Sequence, residues 1–371
     1  MTSRRIVLVQ DFLRSGGTER QTILLARAFR DRGHDASVVT FRPGGILAPT
    51  LSSVPQRALQ PFDTRLNWFG PGLGRTLRRM APDVVLLMGR MAHSVGSALP
   101  AALPATRVVA TLRTGKPLPA AYRRVLWRCA HAVANSAESA TRLRQEIGLP
   151  ARQVSVIHNG LVFPASIQGD AALRARQRAL QETPEGAVVL LCVGMLRPEK
   201  NQRALIEAAA LLPRSAEWRL WLAGDGPERS ACAELAERLG VGDRVKLLGF
   251  RADPRPLYAA ADVAVLGSRA ESLSNFLIEA QAHGLPVVAT RATGVVECVR
   301  DGRSAILVAP GDKRALAAAI GTYVGDLSLR QEAGRLATEY ARTAFDPQAR
   351  ADDYLHLFER LIVRGLASKP A

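Results

Sequence analysis

Short apolar runs alternate along the whole chain with longer segments whose apolar residues fall at helical spacing, and this alternation leaves few folds open. The runs Ile6–Val9, Ala36–Thr40, Val84–Leu87, Val108–Thr111, Ala132–Ala134 and Val154–Ile157 make one set of strand candidates. Val188–Val193, Trp218–Ala223, Val245–Leu248, Val263–Leu266, Val287–Thr290 and Ala305–Val308 make a second. Strands joined through helices run parallel, because the helical crossover returns the chain to the end it left. The pattern predicts an α/β chain of two doubly wound, Rossmann-like domains. Ligands in such sheets bind beyond the carboxyl ends of the strands, so two sheets facing each other across a linker would make a cleft.

The first domain is expected over 1–163 and the second over 187–346. Residues 164–186 are poor in large apolar side chains and end in Thr183-Pro184-Glu185-Gly186, which reads as a linker with a helical middle. After Asp346-Pro347, the apolar residues Tyr354, Leu357, Phe358, Leu361 and Ile362 predict an amphipathic helix over about 347–366. The chain has 371 residues, 47% hydrophobic and 22% charged, a globular composition that excludes disorder, collagen and a small disulfide scaffold. Cys129, Cys192, Cys232 and Cys298 lie far apart with no metal-ligand spacing, so neither a disulfide nor a zinc site is expected. No run approaches the about 18 apolar residues of a spanning helix, and Arg4-Arg5-Ile6-Val7-Leu8-Val9 meets Gln10-Asp11 too soon for a signal peptide. The expectation is a cytoplasmic protein.

Charge is uneven. The formal net charge is +17, yet residues 1–180 hold 26 Lys and Arg against 9 Asp and Glu, whereas the remainder holds 24 of each. An excess confined to one half points to an anionic partner met by that half alone.

Three segments carry chemistry. After the Val263–Leu266 run, Glu271-Ser272-Leu273-Ser274-Asn275-Phe276-Leu277-Ile278-Glu279 sets two carboxylates eight residues apart, with Ser272, Ser274 and Asn275 where a helix would start. A helix N-terminus suits a phosphate, and a carboxylate accepts from vicinal sugar hydroxyls. On a helix, eight residues span about 12 Å, roughly the distance from the ribose to the sugar of a nucleotide sugar. Behind the Val188–Val193 run, Gly194-Met195-Leu196-Arg197-Pro198-Glu199-Lys200-Asn201 brings two cations that would stabilise a departing diphosphate. Behind the first run, Ser15-Gly16-Gly17-Thr18-Glu19-Arg20 forms a glycine turn into a helix, which is neither a Walker loop nor a dinucleotide fingerprint.

Together these segments resemble the retaining glycosyltransferases of the GT-B-fold family 4, whose signature is Glu-x7-Glu. The likeness extends to Ala134-Asn135-Ser136, Val156-Ile157-His158-Asn159-Gly160, Ala223-Gly224-Asp225-Gly226-Pro227-Glu228, Leu248-Gly249-Phe250-Arg251 and Gly284-Leu285-Pro286-Val287. The resemblance implies that Glu271 holds the transferred sugar and Glu279 the ribose. It implies that amides around Ser272, Leu273, Ser274 and Asn275 meet the diphosphate together with Arg197 and Lys200. Gly16 and Gly17 would close the donor site, and Phe250-Arg251 would hold the base. It further implies that the last helix returns to the first domain, and that a glycan, glycolipid or lipid-linked acceptor is used without metal or other cofactor. Two positions depart from the family. Met195 stands where many members have Arg, and Thr111-Leu112-Arg113-Thr114 where many have His. Arg113 and His93 are the acceptor-side candidates, Arg113 for an anionic group and His93 for the missing imidazole. The same residues also fit a catalytically silent nucleotide-sugar-binding protein, or an epimerase or phosphorylase of this fold.

The basic half offers two surfaces for anionic lipid. Phe62, Leu66, Trp68 and Phe69 precede a helix bearing Arg75, Arg78 and Arg79, and Arg123, Arg124 and Arg128 surround Trp127. These suit peripheral attachment to the inner face of a membrane. Nucleic acid is not an expected partner, since no reading motif occurs.

Overall fold

In the computed structural model, which describes residues 2–14, 16–51, 53–114, 117–161, 163 and 171–367, two all-parallel sheets carry the chain. The first sheet contains β1 (Arg5–Gln10), β2 (Asp35–Thr40), β3 (Gln56–Ala58), β4 (Val84–Leu87), β5 (Arg107–Leu112), β6 (His131–Ala134) and β7 (Val154–Val156), in the order β3-β2-β1-β4-β5-β6-β7. The second contains β8 (Val188–Val193), β9 (Trp218–Ala223), β10 (Val245–Gly249), β11 (Val263–Leu266), β12 (Val287–Thr290) and β13 (Ala305–Val308), in the order β10-β9-β8-β11-β12-β13. Every expected strand is present. The additional β3 is three residues, Gln56-Arg57-Ala58, on the edge beside β2, so it has no apolar run to betray it.

The chain divides into one unit of residues 1–160 with 346–371 and another of residues 161–345. In the first unit alternate residues of each strand feed opposite faces of the sheet. Val7, Val9, Val85 and Leu87 pack on one side, and Ile6, Leu8, Val84 and Leu86 on the other. The second face is covered by the last helix, Pro347–Ala367, whose Tyr354, Leu357, Phe358 and Leu361 are buried against it. Phe29 meets Tyr354 and Phe358 edge-on at 6.4 and 5.8 Å, and Arg4 grips Glu359 through two hydrogen bonds of 2.8 Å. All four cysteines are buried thiols. No helix among the described residues is long and apolar enough to cross a membrane.

The segment read as a linker is partly something else. Residues 164–170 lie outside the described residues, but Ala171–Leu180 is a helix fastened to the second unit. Asp262, at the start of β11, accepts from Arg174 at 2.6 Å, from Arg178 at 2.5 Å and from the Val189 amide at 2.7 Å. This moves three arginines out of the basic half, and the first unit still carries most of the excess charge. The first unit holds 27 Lys and Arg against 12 Asp and Glu, the second 23 against 21.

Asp262→Ala strips Arg178 of its carboxylate partner, leaving it the Ala187 and Ala260 carbonyls, at a site where that arginine is only 15% exposed. Removing one member of such a pair costs about 3 kcal/mol. Denaturant unfolding should show this loss, and a midpoint unchanged from the parent would mean that the helix is not held by Asp262.

Candidate active site

In the second unit the strand order reverses between β8 and β11, which pair in parallel through Val263–Leu190 and Ala264–Leu191. The loops leaving such a pair diverge to opposite faces and open a crevice. A cavity of about 210 Å³ occupies it, walled by Val193 and Gly194 after β8 and by Leu266 and Glu271 after β11. Backbone approach shapes its floor. Gly224 has φ +152°, and a Cβ there would overlap the Gly194 carbonyl, so the Gly224-Asp225-Gly226 turn packs directly on the loop after β8.

Lys200 and Glu271 meet in this cavity, with Nζ 2.5 Å from Oε1. The Ser268 hydroxyl donates to the same oxygen at 2.8 Å. The Glu271 side chain is only 7% exposed, a burial that a carboxylate tolerates when paired and hydrogen-bonded. The turn bearing Lys200 is stitched to the end of β11: the Arg269 amide donates to Glu199 O at 2.9 Å, and the Asn201 side-chain amide to Gly267 O at 3.2 Å. Asn201 itself is left-handed, at φ 49°, and caps the helix Gln202–Ala209.

The carboxylate pair is arranged differently from the expected helical ladder. Ser274 is the N-cap of the helix Asn275–Ala282, its Oγ accepting from the Leu277 amide at 3.4 Å, so Glu271 precedes the helix and the 12 Å rise does not apply. Glu279 lies within the helix, half-buried, with the Tyr258 hydroxyl donating to it at 2.6 Å, and does not line the cavity. Leu273, Ser274 and Asn275 do line it, which sets the positive end of the helix dipole on its wall. The Ser274 amide donates to Cys298 Sγ at 3.2 Å, so that amide is turned away from any phosphate. Ser272 sits beside them without lining the cavity.

Arg197 is outside this cavity, paired with Glu199 at 3.7 Å. Phe250 and Arg251 are exposed beyond β10, also outside it. Gly16 and Gly17 belong to the first unit, as N-cap and first residue of the helix Gly17–Asp31, where a Cβ on Gly16 would collide with the buried Glu19 carboxylate. Burial raises the Glu19 carboxyl above its ordinary range.

His93 does not supply the expected imidazole. Its ring is fully buried, stacked on Tyr122 at 4.1 Å, with Nδ1 2.6 Å from Gly89 O and Nε2 accepting from the Thr111 amide at 3.0 Å. Both nitrogens are consumed by backbone, and burial depresses the ring to about 4, so it is neutral and structural. Arg113 is also a structural clamp, donating to Asn159 Oδ1 and, at 2.7 Å, to the Tyr354 hydroxyl of the last helix.

Two contributors escaped the sequence reading. Gln202 lines the cavity at 2% exposure, donating to Met195 O at 3.1 Å, while its Oε1 has no partner among the described residues. A glutamine opening a helix reads as surface, so nothing in the sequence marks it. Gly294 donates to Glu271 O at 3.2 Å, and a Cβ there would come within 2.5 Å of that oxygen and closer still to Ser272 O.

Comparison with known proteins adds family to geometry. Residues 187–326 match the model of glycosyl transferases group 1, and residues 15–162 that of glycosyltransferase family 4. The chain belongs to the family 4 glycosyltransferases. It is 38% identical over 219 residues to the lipopolysaccharide core biosynthesis glycosyltransferase LpsE of Rhizobium meliloti, covering 59% of each chain. It is 38% identical over 198 residues to D-inositol 3-phosphate glycosyltransferase 2 of Catenulispora acidiphila, covering 48% of this chain and 45% of the relative. Both matches thus span less than two thirds of the relative's length. HepE of Anabaena, solved in complex with UDP and glucose, superposes with a TM-score of 0.81 at 26% identity, over 96% of this chain and all of HepE. This glycosyltransferase therefore has the two-sheet GT-B fold.

Gly294→Ala should displace Glu271 through the backbone. Initial rates of nucleotide-sugar turnover are expected to fall at least about tenfold in a variant that still unfolds cooperatively. Turnover close to the parent would show that Gly294 does not set the position of Glu271.

Proposed function

We propose that this glycosyltransferase moves a sugar from a nucleotide-diphosphate sugar to a hydroxyl of a glycan, glycolipid or lipid-linked acceptor, with retention and without metal or other cofactor. The observation that carries the reading is the pairing of Lys200 with the buried Glu271 in the β8/β11 crevice, beside the capped start of the Asn275–Ala282 helix. Glu271 would take hydroxyls of the transferred sugar, and Glu279, oriented by Tyr258, the ribose. Lys200 and the helix dipole would bear the charge that grows on the diphosphate as its bond to the anomeric carbon breaks. Arg197, three residues before Lys200, would add to this on leaving Glu199. The acceptor oxygen would attack from the face the diphosphate leaves, its proton passing to the departing phosphate oxygen. A uridine diphosphate sugar is the first donor to try, since HepE was solved with UDP-glucose. The LpsE relative supports a lipopolysaccharide-type acceptor.

Lys200→Ala and Glu271→Gln are each expected to lower transfer by about a hundredfold in a product assay with UDP-glucose and related donors. Near-parental turnover in both variants would overturn the assignment.

Peripheral attachment to an anionic membrane belongs to the same reading. It is supported by the charge confined to the first unit and by the exposure of Arg75, Arg78 and Arg79, and of Arg123, Arg124 and Arg128 around a half-exposed Trp127. At about 1 kcal/mol per cation, Arg75→Ser, Arg78→Ser and Arg79→Ser together should weaken cosedimentation with phosphatidylserine vesicles on the order of a hundredfold. Added salt should do the same. Binding insensitive to both would remove the membrane from the proposal.

A further inference from the structure

The first sheet has a strand-order reversal of its own, between β1 and β4, and a cavity of about 370 Å³ opens at its carboxyl end. Asp11, just after β1, and Arg90, just after β4, line it together with Arg14, Arg65, Asn67 and Trp68. The volume falls within the range of small-ligand sites.

The far wall is a built loop. Gln60, 1% exposed, acts as its template: its side-chain amide donates to Leu66 O at 2.9 Å and Phe69 O at 2.5 Å, while its Oε1 accepts from the Thr64 hydroxyl at 2.8 Å. Arg42 braces the loop from outside, forked on Asp63 at 2.6 and 2.8 Å, donating to Asn67 Oδ1 at 2.8 Å and lying over Phe12. Within this rigid frame Arg65 is held left-handed at φ 61°, a conformation that a long side chain adopts at a cost, and Trp68 is 60% exposed. A loop so well hydrogen-bonded that nevertheless leaves an indole in water is shaped for contact.

The lining is chemically divided. Three arginines, Arg14, Arg65 and Arg90, line one cavity, against the single acidic residue Asp11. Arg14 is 3.7 Å from Glu19, and Arg90 donates to Pro117 O at 2.9 Å. Asp11 already accepts the Met91 amide at 3.0 Å and the Ala92 amide at 2.6 Å, which fixes its orientation, and burial pushes its carboxyl up to about 6. With Asn67 Oδ1 taken by Arg42, the amide N–H groups are what that side chain has for a ligand. An anion alone would use the arginines but not Trp68, and a neutral sugar would use Trp68, Asp11 and Asn67 but bring no charge to the arginines. A sugar bearing an anionic substituent uses all of them.

We propose that this cavity is the acceptor subsite and selects an anionic sugar, its carboxylate or phosphate held by Arg65 and Arg90 with Arg14, one ring face on Trp68, and hydroxyls on Asp11 and Asn67. Naming the ligand as acceptor rests on the transferase reading, whereas binding itself does not.

The test uses the full-length protein and isothermal titration calorimetry at low salt with glucuronate, glucose 6-phosphate, methyl glucoside and inorganic phosphate. The two anionic sugars should bind at least about tenfold more tightly than methyl glucoside or phosphate alone. Arg65→Ser and Arg90→Ser should each remove about tenfold from the anionic sugars and leave methyl glucoside unchanged. Trp68→Ala should weaken all three sugars, read by calorimetry. A preference for glucuronate over glucose 6-phosphate, or the reverse, tells carboxylate from phosphate. Equal affinity for charged and neutral sugars, insensitivity to the variants, or no binding up to tens of millimolar overturns the inference. Phosphate binding as well as glucose 6-phosphate also overturns it. So does a protein that ignores every sugar but is released from phosphatidylserine vesicles by Arg65→Ser and Trp68→Ala, since the loop is then a membrane contact. UDP-glucose binding is measured in parallel: its absence alongside intact sugar binding would sink the transferase reading and leave the subsite standing.

Discussion

Everything functional in this chain follows from the requirement that a parallel strand be covered on both faces. That requirement makes the strands short and apolar, forces a helix between each pair and sends every strand's carboxyl end to the same edge of its sheet. Where the order reverses, two loops part and leave room for a ligand. It happens once in each sheet, at β8/β11 and at β1/β4, and both places hold a cavity lined by charged side chains. The chemistry is thus carried by loops of low regularity, while the apolar runs only decide where those loops emerge.

This division explains what was legible beforehand. Runs rich in Val, Leu and Ala announced twelve strands, because burial on both faces leaves little polar alternation to confuse them. The three residues of β3, Gln56-Arg57-Ala58, announced nothing, since an edge strand needs no apolar run. The last helix was visible through its aliphatic and aromatic stripe. The helical middle of the linker segment was expected, as Ala171–Leu180 is, but its attachment was obscured because it is ionic: Arg174 and Arg178 reach Asp262, far away in sequence, and a basic segment with few large apolar residues resembles a connector.

At the site, residue type was legible and environment was not. Glu271 and Lys200 stood out by spacing and charge, and their meeting depends on folding two loops to one point. His93 looked like a candidate imidazole because sequence cannot show that Gly89 O and the Thr111 amide occupy both its nitrogens. Arg113 looked like an anion ligand and is instead tied to Asn159 and Tyr354. Gly294 and Gly224 matter through what a side chain there would strike, which depends entirely on neighbours brought in from elsewhere.

The last helix has a consequence for the order of assembly. Residues 161–345 form one uninterrupted unit, and its two ends lie side by side, the Leu161 amide donating to Phe345 O at 3.0 Å. The other unit is interrupted: Tyr354, Leu357 and Phe358 belong to the same core as Ile6 and Leu8. During synthesis the unit encoded second can therefore finish first, while the unit encoded first waits with one apolar face only partly covered until the helix Pro347–Ala367 has left the ribosome. A chain cut after residue 345 would have its second unit whole and its basic unit missing part of one wall of its core.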